Sequence, residues 1–228
     1  MKMPVKILHT SDLHLGKKLF GFSLEEDQRH FLNEIIRIAE EEKVDAIVIA
    51  GDIYDVPQPP EDAVRMFGDF LHRASKICKI YGIAGNHDSA ERVGYARELL
   101  ENSGVFLTGR YKGKAEKFEL AEGVNIFLLP YLRTASARNF YDDSEIRNPD
   151  QAVKVTLDHS DIDPEEVNII VAHQFIGNGE VTLEQTDSET ARLSVGNDEI
   201  IHSDLFRDFD YGAFGHIHKP QLAGRREL

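Results

Sequence analysis

Five short clusters of Asp, Asn and His recur along this 228-residue chain, and each directly follows an apolar run. Carboxylates and neutral imidazoles are ligands suited to Mn²⁺, Fe²⁺ or Zn²⁺, whereas an all-oxygen set would favour Mg²⁺ or Ca²⁺. Seven candidate ligands are too many for one open catalytic metal, but they suffice for two cations that share a bridging carboxylate. Two-metal sites hydrolyse phosphate esters. The candidate ligands are Asp12, His14, Asp52, Asn86, His173, His216 and His218.

Each cluster taken alone has an ordinary explanation. A single Asp at a strand end is commonly a turn former or a helix cap, and a single His is usually a surface residue or a satisfied core residue. Five clusters, all made of ligand-type residues and all placed after apolar runs, are difficult to explain as turns. The ordinary reading is kept for His9, His30, His72, His159 and His202.

The elements that must position these clusters alternate in the first half of the chain. Apolar runs over 5–10, 46–50 and 77–83 predict strands, and helices are predicted between them, one opened by a capping box at Ser23–Glu26 and one by Pro59–Pro60. A third helix is expected over 91–101. In open α/β sheets the carboxyl ends of the strands meet at the ligand-binding edge, so the clusters should converge there.

The second half has a different pattern. Alternating apolar residues around Glu122–Gly123 predict an antiparallel pair, and further strands are predicted over 167–172 and 210–215. The polar segment 133–150 receives no assignment. The whole pattern predicts an α/β protein.

Composition limits the class of protein. Hydrophobic residues make up 41% and charged residues 29%, as in ordinary globular proteins, and no apolar run approaches the roughly 20 residues of a membrane-spanning helix. The single cysteine, Cys78, cannot form an intrachain disulfide and is interpreted as a small core residue, so a cytoplasmic protein is expected. The net charge of −14 argues against a free-standing nucleic-acid binder. Carboxylates that bind cations add to this formal negative charge, and the bound cations offset part of it.

The clusters also resemble a known family. In order, Asp12-x-His14, Gly51-Asp52, Gly85-Asn86-His87-Asp88, His173 and Gly215-His216-x-His218 resemble the motifs of the calcineurin-like metallophosphoesterases, from residue 8 to residue 218. Longer stretches such as VDAIVIAGDIYDVPQPP and DYGAFGHIHKPQ resemble the bacterial nuclease branch of that family. The resemblance implies a four-layer α/β/β/α sandwich with two mixed central sheets flanked by helices.

The resemblance also implies roles for the motif residues. Asp12, His14 and His218 would bind one metal, Asp52 would bridge, and Asn86, His173 and His216 would bind the second. His87 would act on the leaving oxygen or the phosphate as the catalytic residue, with orientation of a ligand as the alternative. Asp88 would cap the next helix or position His87. The two divalent cations would most commonly be Mn²⁺, with Mg²⁺ or Fe²⁺ possible.

The nuclease branch implies an activity and partners. Its members are Mn²⁺-dependent DNA exonucleases and hairpin or single-strand endonucleases, which dimerise and work with an SMC-like ATPase. Residues 1–228 would form the nuclease domain without its last strands, capping domain and ATPase-binding segment. A phosphodiesterase or phosphatase for small nucleotides and a non-catalytic scaffold are the alternatives. Candidate phosphate contacts, equally readable as solvated surface charge, are Lys17, Lys18, Arg133 and Arg138.

Overall fold

The computed structural model describes residues 4–177 and 200–222. The chain divides into two compact units, of which the first ends at Arg110 and the second begins at Tyr111. Each unit has its own central sheet and its own hydrophobic core. The predicted α/β class with two central sheets is therefore confirmed.

The first unit is built on a parallel four-stranded sheet. Its strands, in spatial order, are β1 (Ile7–Thr10), β4 (Ala46–Ile49), β5 (Lys79–Ile83) and β6 (Val105–Thr108). Two short strands, β2 (Lys18–Leu19) and β3 (Phe22–Ser23), form a separate hairpin after β1. All three pairings in the sheet are parallel, so every strand delivers its carboxyl end to the same edge. Mixed pairing was expected in both sheets, and the described strands of this one are all parallel.

Helices α1 (Glu25–Glu42) and α2 (Glu61–Ala74) pack with the sheet in one core. Strand β4 is buried along its whole length, which explains its uninterrupted apolar sequence. Helix α1 buries one face with helical spacing, whereas the apolar residues Phe31 and Ile38 are about half exposed. The buried residues of α1 are Leu32, Ile35, Ile36 and Ala39.

Two expectations for helix ends are corrected. Helix α1 begins at Glu25 with Leu24 at the N-cap, because Ser23 belongs to the β2–β3 hairpin, and the Ser23 hydroxyl accepts a hydrogen bond from Glu25 N (3.2 Å). The single helix expected over 91–101 is two short helices, α3 (Ala90–Val93) and α4 (Arg97–Glu101). The helix is interrupted at Ala96, whose φ of 58° is left-handed and incompatible with a continuous right-handed helix.

The second unit contains a mixed four-stranded sheet. In spatial order its strands are β12 (Tyr211–Gly215), β9 (Val167–His173), β8 (Val124–Leu129) and β7 (Glu116–Ala121). The predicted turn at Glu122–Gly123 joins β7 to β8 antiparallel, with Gly123 at a φ of 68°. Strands β8, β9 and β12 are mutually parallel, so the carboxyl ends of β9 and β12 are neighbours. The predicted strands of this half are confirmed.

The segment left unassigned holds helix α5 (Thr134–Tyr141) and the start of helix α6 (Pro149–Asp158). Helix α5 buries only Ala137, so its sequence lacks the repeated apolar positions by which a helix is predicted. Arg138 donates its Nε–H to the carbonyl of Ile146 (2.8 Å), which makes it a local structural contact. The unit is completed by a short parallel pair, β10 (Ile176–Gly177) and β11 (Ile201–His202), and a 3₁₀ helix over Ser203–Phe206. Within the described ranges, no helix combines the length and apolarity needed to cross a bilayer.

Candidate metal centre

The loops after β1 and β4 bring Asp12, His14 and Asp52 together in the first unit. Backbone hydrogen bonds continue the parallel pairing beyond the strands: Asp12 N donates to Gly51 O and His14 N donates to Asp52 O, both at 3.0 Å. Carboxylate oxygens of Asp12 and Asp52 lie within 4.8 Å of each other, and the same limit holds for Asp12 and a ring nitrogen of His14. Three candidate ligands from two loops therefore converge on one small region.

The backbone at these residues is unusual. Asp12, His14 and Asp52 have left-handed φ values of 53°, 42° and 48°, and His216 in the second unit has a φ of 89°. Among the described residues, eight non-glycine residues have positive φ, and four of them are predicted metal ligands. Such conformations cost on the order of 1–3 kcal/mol each, and they persist where the surrounding structure determines them. The concentration of strain at the predicted ligands indicates a functional site.

Asp52 lies at the centre of this region. Its side chain is almost fully buried, and Oδ1 accepts a hydrogen bond from the backbone N–H of His87 (2.9 Å). Oδ2 lies 3.7 Å from His14 Nε2 and 4.0 Å from His87 Nε2. The close approach needs a glycine at position 85, because a Cβ there would lie 2.1 Å from Asp52 Oδ1. Gly85 is therefore required by the position of Asp52.

Asp88 joins the loop after β5 to the loop after β4. Its Oδ2 accepts hydrogen bonds from Ile53 N (3.0 Å) and Gly85 N (2.9 Å), and its Oδ1 accepts one from Tyr54 N (2.9 Å). Burial raises the pKa of the Asp88 carboxyl, and these backbone N–H groups partly oppose that rise. Asp88 does not cap helix α3, whose N-cap is Ser89. It fixes the backbone that follows Asp52 and the backbone that precedes His87 instead.

Of the side chains of His14, Asp52 and His87, which lie together, that of His87 is the most accessible. Its side chain is 29% exposed, compared with 7% for His14 and 2% for Asp52. The Nδ1 atom of His87 lies 2.8 Å from the carbonyl oxygen of Asp55, an arrangement in which Nδ1–H donates. That hydrogen bond leaves Nε2 as the nitrogen available for other chemistry.

Two contributing residues were not recognised from the sequence. Asp55 places Oδ1 3.2 Å from His14 Nδ1, and ligand atoms of His14, Asp55 and His87 lie within 4.8 Å of one another. Gln28 on α1 donates its amide to His14 O (2.6 Å) and accepts from Gly16 N (3.1 Å), and so fixes the loop after β1. The Asp at the end of GDIYD was a signal that could have identified Asp55. The role of Gln28 depends on how α1 packs and has no local signal.

The remaining candidate in the first unit is Asn86, which lies half-buried between Gly85 and His87. Lys17, predicted to contact phosphate, directly precedes the β2–β3 hairpin, and its N–H donates to His14 O (3.0 Å). Arg133, the other predicted phosphate contact, is an exposed residue at the N-cap of α5 in the second unit.

The second unit gathers the other predicted ligands. His173 is fully buried at the end of β9, and its register partner in β12 is Gly215, directly before His216. The His173 and His216 rings meet edge to face with centroids 5.2 Å apart, and Tyr131 stacks on His216 at 6.4 Å. His218 follows two residues later and is half-buried. A histidine cluster at the carboxyl ends of two parallel strands, with His173 buried, is an arrangement suited to holding a metal.

The donor chemistry of both units fits divalent transition metals. The first unit offers carboxylates, an imidazole and an amide, and the second offers three imidazoles. Such mixed nitrogen and oxygen donors suit Mn²⁺, Fe²⁺ or Zn²⁺. The contact of His14 Nδ1 with Asp55 also matches the outer-sphere carboxylate that commonly orients a metal-binding histidine.

The fold and these residues define a class of protein. Residues 5–220 match the family model for calcineurin-like phosphoesterases, and the chain belongs to that family. One curated relative is the SbcD subunit of the nuclease SbcCD from Staphylococcus epidermidis, which is 36% identical over 221 residues. The match covers 95% of this chain and 57% of the relative, so the chain spans little more than half the length of that protein.

Proposed function

We propose that this chain is the nuclease part of an SbcD-type protein, which hydrolyses phosphodiester bonds in DNA with two divalent cations, most favourably Mn²⁺. The observation that carries the proposal is the convergence of Asp12, His14 and Asp52 on strained backbone beside an accessible His87. A structural role does not explain this arrangement, because a fold gains nothing from buried carboxylates held in costly conformations.

The ligands are assigned by family resemblance. Asp12, His14 and His218 would hold one cation, Asp52 would bridge, and Asn86, His173 and His216 would hold the other. Bound cations in such sites supply Lewis-acid activation of water and neutralise charge on the phosphoryl oxygens.

The protein residues would position the substrate and move a proton. His87, with its ring oriented by the Asp55 carbonyl, would face the scissile phosphate and, in its doubly protonated form, donate the Nε2 proton to the leaving oxygen. Asp88 would maintain that geometry through its three backbone contacts. Lys17 and Arg133 would bind flanking phosphates.

The whole protein would cleave duplex ends as an exonuclease and hairpins or single strands as an endonuclease, in the cytoplasm. It would act in DNA repair and recombination with an SbcC-type ATPase bound through a segment outside these residues. A homodimer would form through the helices after β4 and β5. Exposed apolar side chains at Val64, Tyr95 and Leu99 support that contact surface.

One observation favours a second candidate. The net charge of −14 is unfavourable for a polyanionic substrate, so a phosphodiesterase or phosphatase for small nucleotides is the alternative. Assays of the purified chain with Mn²⁺ on linear duplex DNA, hairpin DNA and a cyclic nucleotide separate the two. Cleavage of either DNA supports the nuclease, whereas turnover of the cyclic nucleotide without DNA cleavage supports the alternative.

His87→Ala tests the assigned role in the same assays. We expect Mn²⁺ affinity, measured by titration calorimetry, to stay within about twofold, while DNA cleavage falls by about 10² to 10⁴, the range typical for loss of a general acid. His72→Ala, which removes a histidine from α2, is the matched control. An unchanged cleavage rate in His87→Ala would contradict the role.

A further inference from the structure

The β2–β3 hairpin, residues 18–23, exposes an unusual amount of apolar surface. Phe20 is 93% exposed, Phe22 77% and Leu19 52%. Single exposed apolar residues are ordinary, but three adjacent ones on a short element typically mark a binding surface. Strands of two residues each are too short to be stable without further contacts, which adds to the reason for expecting a partner.

The tip of the hairpin supports the same reading. Phe20 and Gly21 form the two-residue turn and have φ values of 51° and 86°. Turns with two left-handed residues favour Asn, Asp or Gly at the first position, whereas a bulky residue is disfavoured there. Phe20 therefore neither eases the turn nor fills a core, which favours a role in contact with another molecule.

Positive charge accompanies the apolar side chains. Leu19 and Phe22 are register partners and so share one face of the hairpin. The pairing continues to Lys17, whose carbonyl accepts from Leu24 N (3.3 Å), so Lys17 lies on that same face. Neither Lys17 nor Lys18 forms an ion pair with any residue in 4–177 or 200–222. In a chain with a net charge of −14, a hairpin with two available lysines is suited to an anionic partner.

The hairpin is also connected directly to the candidate metal centre. It starts four residues after His14, and Lys17 N donates to the His14 carbonyl oxygen. A ligand bound by the hairpin would therefore lie beside the loop that carries Asp12 and His14.

We propose that the hairpin binds unpaired nucleotides of a DNA substrate, with Phe20 and Phe22 stacking on bases and Lys17 and Lys18 contacting phosphates. This inference rests on the proposed nuclease function. Exposed aromatic rings beside lysines are the usual means of holding single strands without sequence preference. DNA is favoured over a protein partner because the face that carries the Phe22 ring also carries the positive charge of Lys17.

The separate roles of the two Phe and the two Lys residues can be tested by the binding of a fluorescein-labelled oligo-dT. Binding is measured by fluorescence anisotropy, with EDTA present to prevent cleavage. We expect Phe20→Ala/Phe22→Ala to weaken binding about tenfold or more without changing the salt dependence. Lys17→Gln/Lys18→Gln should instead reduce the slope of log K against log salt by about 1.4. Phe31→Ala, which removes a half-exposed aromatic residue from α1, is the control and should bind as the wild type does. Wild-type affinity in the double Phe variant would overturn the proposal.

A second experiment keeps an aromatic side chain at position 20 and reports base stacking directly, so its result does not depend on loss of hairpin stability. The chain contains no tryptophan, so the indole in Phe20→Trp would be its only one. Its fluorescence should be quenched by oligo-dT and shielded from acrylamide, because a base would stack on the ring. Unchanged fluorescence at saturating DNA would contradict stacking.

The outcomes separate this inference from the proposed function. If the wild type cleaves DNA and the double Phe variant cleaves and binds equally well, the hairpin inference is wrong and the nuclease function stands. If the wild type hydrolyses bis(p-nitrophenyl) phosphate but binds none of the DNA probes, both are wrong. A double Phe variant with a changed oligomeric state and normal DNA affinity would identify a protein contact and overturn the proposal.

Discussion

Single residues set the geometry of the candidate centre through close approaches that other side chains would block. The Asp52 side chain occupies space that a side chain at position 85 would fill. The backbone N–H of His87 donates a hydrogen bond to Asp52 Oδ1. Asp88 fixes the neighbouring backbone with three hydrogen bonds. Because these residues constrain one another, small changes here should alter metal binding more than overall folding.

Gly85→Ala makes this testable. The added methyl group would lie 2.1 Å from Asp52 Oδ1 and 2.4 Å from Asp52 N, so Asp52 must move. We expect Mn²⁺ affinity measured by calorimetry to fall at least tenfold. Gly68→Ala in α2 is the matched control, because nothing lies within 4 Å of the added atom. That control should keep wild-type affinity and gain about 0.5–1 kcal/mol of stability. Equal Mn²⁺ affinity in the two variants would show that Asp52 does not bind metal in this position.

Cys78 provides a residue-level test of pH dependence. Burial raises the pKa of its thiol from 9.0 to about 11. The neutral thiol is therefore favoured by the fold, and its stabilising contribution is present below about pH 9 and is lost as pH rises toward 11. We expect the rate of reaction with a disulfide reagent to be half-maximal near pH 11 in the native chain and near pH 9 in urea. A native midpoint near 9 would contradict the effect of partial burial on the thiol.

At the scale of secondary-structure elements, the sequence predicted what local patterns determine. The fully buried β4 and the β7–β8 hairpin were found from apolar runs and a Glu-Gly turn. Helix α5 was missed because a mostly exposed helix carries no apolar period. The break at Ala96 was missed because Ala96 and the residues after it favour a helix; Gly94, which caps the first short helix, was the local signal for it.

The same distinction applies to the site. The candidate ligands could be predicted because each follows a recognisable strand. The supporting contacts of Gln28 and Asp88 could not, because they join residues that are distant in the sequence. Both depend on how loops and helices pack once the sheet has formed, which no local pattern encodes.

The start of α6 offers an element-scale prediction. The side chain of Asn148 accepts a hydrogen bond from Gln151 N (2.9 Å), and Pro149 follows at the first helical position. Asn148→Ala should lower the free energy of unfolding by about 1 kcal/mol, measured by urea denaturation. Asn139→Ala on the exposed side of α5 is the control and should change stability by less than about 0.5 kcal/mol. Similar losses in both variants would mean that Asn148 is not a cap.

At the scale of the whole molecule, charge and metal binding are linked. The chain has 40 acidic and 26 basic residues. Part of the excess negative charge lies at the candidate centre, where bound cations would offset it. The chain should therefore be less stable without metal than with it. A non-catalytic scaffold with the same fold would have no reason to show that dependence.

Thermal unfolding of the chelator-treated chain tests this directly. A ligand that binds only the folded state adds about 2.7 kcal/mol of stability at one hundred times its dissociation constant, so Mn²⁺ should raise the melting temperature by several degrees. Asp52→Asn removes the predicted bridging charge and should abolish most of that increase, whereas Asp208→Asn, an exposed substitution, should retain it. If Mn²⁺ leaves the wild-type melting temperature unchanged, or raises it equally in Asp52→Asn, the two-metal centre is wrong, because the gain must come from ligands gathered around Asp52.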